Sequence, residues 1–547
     1  MLDTKLINNL TGAVEGVTVT APFKLDGALL RGSISFDVEG VSLEFAVEIL
    51  PFYPFQFHEQ ESIRFINPNL LEYNHVNADG SICLHTLHSS EVSDKIRFDF
   101  EALRQWIIRY YINKATDLHY EHIIVPSNME GSNSIFLFTE INHTFIKDEF
   151  GVFRHIRLSE GNFREKNIQT NLVVGFEVSK QFKPCGWHDS YQNIVSYGKG
   201  IFVFIEDAPV VNGRFAISNW NQLEPYVSQK FLSFLYETGN RIKNTLKNKA
   251  TIIPLLIGYN LGSREVHWQA IHIHLSNLPN YGEKLSGGSY IGKLKEDVID
   301  WAQTRNCSYS YFFGRGVLHK RFTQSKILII GVGAVGSMIA TSLTRGGCKQ
   351  LYLLDHDLKE PENVCRSEYI FASGLSGKVQ DLQLQLIRIS PFVHVNVSDG
   401  LSDALKFAAQ DPSMRDACEE LLEPYDLIID CSTDYDMAYI LDKLTIKAEV
   451  INLSITNHSN ELVCAVKPNM YAWLIDIFNR LPQDLTDLYN PTGCWSPTFK
   501  ASYTDIAVLV QYAIKHINLC FEQNKPVRNF HLATESNDGF TIKLNQY

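Results

Sequence analysis

Two short stretches place a cysteine where it could act as a nucleophile. In "HVNADGSICLH", residues 75–85, Cys83 follows an Asp-Gly turn, with His75 upstream and His85 and His88 just downstream. In "NPTGCWSPTF", Cys494 lies between two prolines and beside a glycine, a composition that makes a rigid, exposed loop. A thiolate in either place could capture an activated acyl group as a thioester, which outlasts the activated species in water yet still reacts with amines. A lone cysteine is more often a small buried hydrophobe, so the reading of Cys83 depends on the chemistry carried elsewhere in the chain.

That chemistry starts at "SKILIIGVGAVGSMIATSLTRGGCKQLYLLDHD". The run reads as strand, glycine turn, helix, Gly-Gly stop and second strand, the βαβ opening of a doubly wound parallel sheet. In "GVGAVG", Gly331 allows the tight turn, Gly333 lets backbone approach a phosphate, and Gly336 packs the helix against the strand. The helix N-terminal amides then face the anion. Asp355 ends the second strand, where it could accept hydrogen bonds from a ribose. Asn363, Arg366 and Lys378 follow soon after, and Asp434 comes at the end of "IIDCSTD". Hydride transfer builds no phosphate charge and gains nothing from two cations here. Attack on the α-phosphate of ATP does build such charge, and cationic clamps with an acid-held metal stabilise it. A dinucleotide-dependent oxidoreductase shares the glycine turn and Asp355 and stays open as an alternative.

Bulk properties narrow the classes further. At 547 residues the chain exceeds one core and should divide into several domains. Its charge balance is 49 − 61 = −12 with no polybasic block, which argues against a nucleic-acid partner. "ILIIGVGAVGSMIA" is broken by glycines and short for a membrane span, and "MLDTKLINNLTG" does not read as a signal peptide. A soluble, cytoplasmic protein is expected. None of the 10 cysteines forms a C-x-x-C pair, so neither a disulfide framework nor a cysteine-rich zinc site is suggested.

Three regions are expected. Residues 1–130 begin with alternating strands ("GVTVTAPF", "SISFDVEG", "VSLEFAVEIL", "ESIRFINP") and end in a helix whose buried face is Leu103, Trp106, Ile107 and Tyr110, an α+β layer. Residues 131–310 alternate apolar strands with one long helical stretch, "NQLEPYVSQKFLSFLYETGNRIKNTLKNK", and read as an α/β linker domain. His272 and His274 share a strand face there, but no third metal ligand is evident. Residues 311–547 form the Rossmann-like α/β domain.

The run G-x-G-x-x-G, D-x-D, N-x-x-R, G-x-x-K and a later strand ending in Asp resembles the ubiquitin-activating (ThiF-type) adenylating superfamily. The resemblance implies that Asp355 holds ribose, that Asn363, Arg366 and Lys378 bind the triphosphate of ATP, and that Asp434 holds Mg²⁺, with Asp430 a competitor because "DCSTD" is one residue longer than the usual spacing. Sulfur-carrier activators of this superfamily commonly bind zinc through C-x-x-C pairs, which this chain lacks. Cys494 is favoured as the acyl acceptor over Cys348, Cys365, Cys431 and Cys464. "HVNADGSICL", with "ILPFYPFQF" upstream, resembles the active-site segment of ubiquitin-conjugating enzymes, although Val76 replaces a proline and the interval from Asn77 to Cys83 is short. It implies that Asn77 supports the oxyanion and Cys83 carries the thioester.

The order of domains is similar to a bacterial fusion associated with cyclic-oligonucleotide antiphage signalling. That resemblance implies a donor protein activated at its C-terminus (a cGAS-like nucleotidyltransferase), an acceptor lysine, and a homodimer. An activating enzyme with a non-catalytic N-terminal domain is the further alternative.

Overall fold

The computed structural model describes residues 3–56, 61–115, 134–163, 166–192, 197–211, 215–246, 252–261, 265–286, 288, 290–397, 401, 404–405, 411–484, 486, 488, 500–536 and 539–547. The chain forms two compact units. The first comprises residues 1–138, 143–183 and 196–306, and the second 139–142, 184–195 and 307–547.

The first unit contains the expected meander. Strands Val17–Asp26, Leu29–Val38, Val41–Ile49 and Ile63–Ile66 pair in sequence order, all antiparallel. Alternation puts Leu30, Ile34, Phe36 and Val38 on the same buried face as Leu43, Phe45, Val47 and Ile49. The helix Val92–Trp106 covers that face through Ile96, Phe100 and Leu103, then widens into a π-turn over Ile107–Ile112. Leu103, Trp106, Ile107 and Tyr110 are all buried, as the helical spacing requires. A helix over Thr4–Gly12 precedes the meander, where a strand-first opening is expected. Asp3 caps it by accepting from Lys5 N–H at 2.9 Å and Leu6 N–H at 3.3 Å, and Ile7 anchors it in the core.

The rest of the first unit is a second, eight-stranded sheet that includes Phe136, Phe153, Phe176, Phe202 and Trp268 among its buried side chains. Its strand Ser134–Phe138 pairs both with Asp300–Asn306 and with Lys166–Val178, so the sheet closes on itself. The single long helix expected here is shorter. Trp220–Tyr226 is a 3₁₀ turn containing Pro225, Val227 is extended, and the α-helix runs only over Gln229–Leu246. Proline clashes with the preceding turn and lacks the N–H to continue the ladder, which accounts for the break.

The second unit is doubly wound. Its sheet runs in the order His394–Val397, Gln350–Leu354, Lys326–Ile330, Leu427–Asp430, Glu449–Thr456, all parallel. It continues antiparallel through Glu461–Val466, Phe530–Glu535 and Thr541–Gln546. "KILII" is apolar throughout because both faces are covered. Ile327 and Ile329 join the core under helices Ala334–Arg345, Lys378–Ile389 and Tyr503–Glu522, while Leu328 and Ile330 join the opposite one under Pro412–Leu422, Tyr435–Lys443 and Met470–Arg480. Strand order reverses between Lys326–Ile330 and Leu427–Asp430, so the crevice at their carboxyl ends is where such a sheet receives a ligand. Among the described residues no helix is long and apolar enough to cross a membrane.

Candidate functional site

The glycine turn lies at that reversal. Gly331 has φ +78°, and a Cβ there would stand 2.6 Å from Ser432 Cα on the neighbouring strand's extension. A Cβ on Gly336 would stand 1.9 Å from the Gly331 carbonyl oxygen, so only glycine lets the helix start this close to the strand. Gly333, the N-cap of Ala334–Arg345, has φ −66° and nothing within 4 Å of the same position. The three glycines therefore divide into two fixed by packing and one that borders open space. Gly336→Ala should destabilise the second unit by about 3 kcal/mol through overpacking against backbone. Gly333→Ala should leave its thermal transition in place and weaken nucleotide binding. Calorimetry of both variants, unliganded and with ATP, checks the contrast.

Asp355 emerges from Gln350–Leu354. Its Oδ2 accepts from Val332 N–H at 2.8 Å and its Oδ1 from Asp357 N–H at 2.9 Å, so the carboxylate ties the second strand's exit to the glycine turn. Beyond it the chain makes an excursion closed at its neck by a bridge between Leu358 and Gly377. Within it, Asn363 Oδ1 accepts from Glu360 N–H at 2.9 Å and caps the 3₁₀ turn Pro361–Arg366, which brings half-buried Arg366 to its end. Lys378 begins the next helix, and its Nζ donates to Asp357 Oδ2 at 2.7 Å. Partial burial pushes the Asp357 carboxyl up, but the hydrogen bond and charge of Lys378 outweigh it and hold the group below its usual range.

Composition gives no hint of Lys359. It looks like a surface lysine in "DLKEPEN", yet it is 2% exposed. Its Nζ donates to Ile370 O at 2.9 Å, to Asp381 Oδ2 at 3.1 Å and to Ser373 Oγ, pinning the excursion from inside. Tyr369 is the other residue that sequence reasoning misses. Its hydroxyl donates to Val332 O at 2.6 Å.

The two acids at the end of Leu427–Asp430 have separate environments. Asp430 is fully buried and accepts from Ser432 N–H at 3.0 Å, Ser432 Oγ at 2.6 Å and Asn452 Nδ2 at 2.8 Å. Burial raises its pKa, and those donors oppose the rise. Asp434 caps Tyr435–Lys443 through Oδ1, which accepts from Asp436 N–H at 2.9 Å and Met437 N–H at 3.3 Å. It lines a cavity of about 510 Å³ with Tyr435, Asn452, Ser454, His458 and Phe478, and Asp430 does not. Of the two, Asp434 therefore fits an ATP-bound Mg²⁺ better, since it borders the cavity and the bonds it accepts go to Oδ1. Among the described residues, one group of three side chains could converge on a cation by distance, Asp355, His356 and Asp357, whose donor atoms lie within 4.8 Å of one another.

Cys494 lies outside the described residues. The described residues that flank its segment are held by one turn. Asn457 Nδ2 donates to Pro482 O at 2.5 Å, Asn457 Oδ1 accepts from Asp484 N–H at 3.0 Å, and His458 Nδ1 accepts from Lys500 N–H at 2.8 Å. Asn457, His458 and Ser459 have φ of 53°, 53° and 65°, three successive non-glycine residues in the left-handed region. Such strain persists only where surrounding contacts enforce it. Cys348, Cys418, Cys431 and Cys464 are buried, and burial pushes their thiols up, Cys348 to about 12. Cys365 is exposed, with Sγ donating to Glu362 O at 3.2 Å.

In the first unit, Cys83 follows a tight hairpin. Val76 bridges Ile82, Asn77 N–H donates to Ser81 O at 2.8 Å, Gly80 N–H donates to Asn77 O at 2.8 Å, and Cys83 N–H donates to His75 O at 2.8 Å. Val76 and Ile82 insert into the core, and Gly80 takes φ +82° against Pro68. Asn77 Nδ2 donates to Ser81 Oγ at 2.9 Å, within the hairpin. Half-buried Cys83 borders a groove of about 340 Å³ lined by Leu84, Leu87, Phe98, Trp106 and Arg109, with His75 and His85 at its edge.

A buried polar group holds the segment after Cys83. Lys95 Nζ donates to Thr86 Oγ1 at 2.9 Å and pairs with Asp99, whose Oδ2 also accepts from the Tyr53 hydroxyl at 3.0 Å. Burial pushes the Asp99 carboxyl up and Lys95 opposes it. Removing one partner of a buried pair strands the other charge. Lys95→Met should cost about 4 kcal/mol, read as a lowered denaturation midpoint.

His272 and His274 both approach Asp300 Oδ2, at 3.5 and 2.9 Å, an ion-pair arrangement at the rim of the eight-stranded sheet. His272 is pushed down by burial.

The chain is similar to several known proteins. Over 362 residues the chain is 26% identical to "ATP-dependent ubiquitin transferase-like protein Cap2" of Enterobacter hormaechei subsp. hoffmannii (strain UCI 50), covering 61% of this chain and 58% of that protein. The chain thus spans less than two thirds of that relative. It is 34% identical over 107 residues to "Ubiquitin-like modifier-activating enzyme 5" of Caenorhabditis elegans, 20% of this chain and 26% of that one. It is 28% identical over 124 residues to "Adenylyltransferase and sulfurtransferase MOCS3" of Drosophila grimshawi, 22% of this chain and 25% of that one. A solved structure of E. coli MccB with ATP aligns at 13% identity and a TM-score of 0.29, over 42% of this chain and 65% of that chain. Residues 305–460 match the ThiF family model, and the glycine turn, Asp355, the excursion with Arg366, Lys378 after it, and Asp434 all fall within the matched span.

Proposed function

We propose that this chain activates the C-terminal carboxylate of a protein with ATP and conjugates it to an acceptor amine. A carboxylate oxygen attacks the α-phosphorus, the bond to the β-phosphate oxygen breaks, and pyrophosphate leaves. Gly333 and the first amides of Ala334–Arg345 receive the phosphates, Asp355 the ribose, and Asn363, Arg366 and Lys378 the triphosphate charge. Asp434 holds the Mg²⁺ that accompanies ATP, which supplies further neutralisation of that charge. The cavity beside Asp434 admits the end of the donor chain. The Cys494 thiolate then attacks the acyl carbonyl and releases AMP, Cys83 takes the acyl group by thiol exchange, and an acceptor lysine amine attacks last. Asn77 supports the oxyanion of that step once freed from Ser81.

The observation that supports this reading is the closed excursion after Asp355, which carries Arg366 and is followed directly by Lys378, all within the ThiF-matched segment. The names of the relatives, an adenylyltransferase and ubiquitin-transferase-like and modifier-activating proteins, support it. In this scheme residues 1–130 are the conjugating domain, 131–310 a linker and 311–547 the adenylating domain. The protein works as a cytoplasmic homodimer, and the donor is a cGAS-like nucleotidyltransferase of an antiphage system. Isothermal calorimetry with Mg-ATP and with NAD tests the nucleotide. Binding of Mg-ATP without NAD fits, and preference for NAD overturns the proposal in favour of an oxidoreductase.

A further inference from the structure

Both backbone polar groups of Val332, inside the glycine turn, are held by side chains. The N–H is held by Asp355 and the carbonyl by the Tyr369 hydroxyl, at 2.8 and 2.6 Å. Tyr369 is 3% exposed, so water does not compete for its bond. Burial first, then the neighbouring charges of Asp355, Asp381 and Asp357, push its phenol up, which keeps the hydroxyl a donor. The residue belongs to the excursion that Lys359 pins through Ile370 O, one residue further on. Its direction is therefore set from both sides.

A trans peptide points its carbonyl and the following N–H in opposite directions. Fixing the Val332 carbonyl against Tyr369 consequently turns the Gly333 N–H away from the protein's interior at that point. Gly333 has nothing within 4 Å of its would-be side chain. A free N–H at the start of a twelve-residue helix, Ala334–Arg345, is the kind of donor a phosphate oxygen takes. Without the hydroxyl, the Val332–Gly333 peptide would lose the bond to its carbonyl, and the Asp355 bond, which holds the N–H of the preceding peptide, would leave its plane free to rotate.

We propose that Tyr369 is a positioning residue for the nucleotide's phosphates, its hydroxyl locking the Val332–Gly333 peptide so that the Gly333 N–H is presented to the anion. This rests on the nucleotide reading of the glycine turn. A phenol satisfied by the nearest carbonyl, with no bearing on ligand, would use the same contact, so the test must separate phosphate binding from packing. Tyr369→Phe keeps the ring and removes only the donor. Calorimetry on the full chain with Mg-ATP and with adenosine, together with the thermal transition, gives the readout. The expected result is an ATP affinity about tenfold weaker, adenosine affinity unchanged and the transition kept. Unchanged ATP affinity, or equal weakening of ATP and adenosine, overturns the proposal and leaves Tyr369 a packing residue. If the unaltered protein binds neither ligand, the nucleotide reading itself fails.

Discussion

Arg366→Ala is expected to lower ATP–pyrophosphate exchange by about a hundredfold to a thousandfold, with the thermal transition of the chain little changed. Arg366 is half-buried at the end of a short 3₁₀ turn, so the substitution removes a cation from the segment that follows Asp355. In the proposed reaction, the charge that builds as the α-phosphorus is attacked needs a compensating cation. Lys378→Ala should act in the same direction, and it also releases Asp357, whose carboxylate would then repel the nucleotide. An effect confined to the Michaelis constant for ATP would mean that the cation binds substrate and transition state equally. Loss in turnover at saturating ATP assigns it to the chemical step. Exchange unaffected by either substitution would remove both residues from the reaction.

The second large effect is expected at Cys83, the other proposed nucleophile. Cys83→Ala should abolish transfer to acceptor amines while leaving adenylation intact, and the acyl group should accumulate upstream as a thioester on Cys494. The readout is a band on non-reducing gels that disappears with thiol reductant. The double variant Cys83→Ala, Cys494→Ala should show no such band. A conjugate formed at the usual rate by the Cys83 variant would make the N-terminal domain a recruiter of acceptors with no covalent role. Persistence of the reducible band on Cys494→Ala alone would reassign the first acceptor, and Cys365, exposed in the phosphate segment, is the cysteine to replace next.

What the sequence reveals about this site follows from how local each requirement is. The glycine turn is legible because two of its positions need the absence of a side chain, Gly331 and Gly336 meeting backbone atoms where a Cβ would stand. The meander is legible because one face is buried, so period-two alternation survives in "VSLEFAVEI". The helix Thr4–Gly12 is less so, because it is short, buries little beyond Ile7 and Thr11, and carries Asn8, which bonds the Phe23 backbone 15 residues along the chain. Lys359 and Lys95 read as solvated charges, and Lys95 with Asp99 has the spacing of an ordinary surface pair on a helix. Their burial depends on what packs over them from elsewhere, which no local pattern encodes. The same holds for the choice between Asp430 and Asp434. Spacing leaves both open, and the donors from Ser432 and Asn452 separate them.

The most direct test is exchange of labelled pyrophosphate into ATP by the unaltered chain, with a donor protein whose C-terminal carboxylate is free and with the same protein amidated at that end. Exchange that requires Mg²⁺ and the free carboxylate, and is lost on amidation, is the expected result. Label that stays in pyrophosphate with every free carboxylate offered, while ATP is turned over to ADP, would contradict cleavage at the α-phosphorus and with it the assignment of the whole cleft.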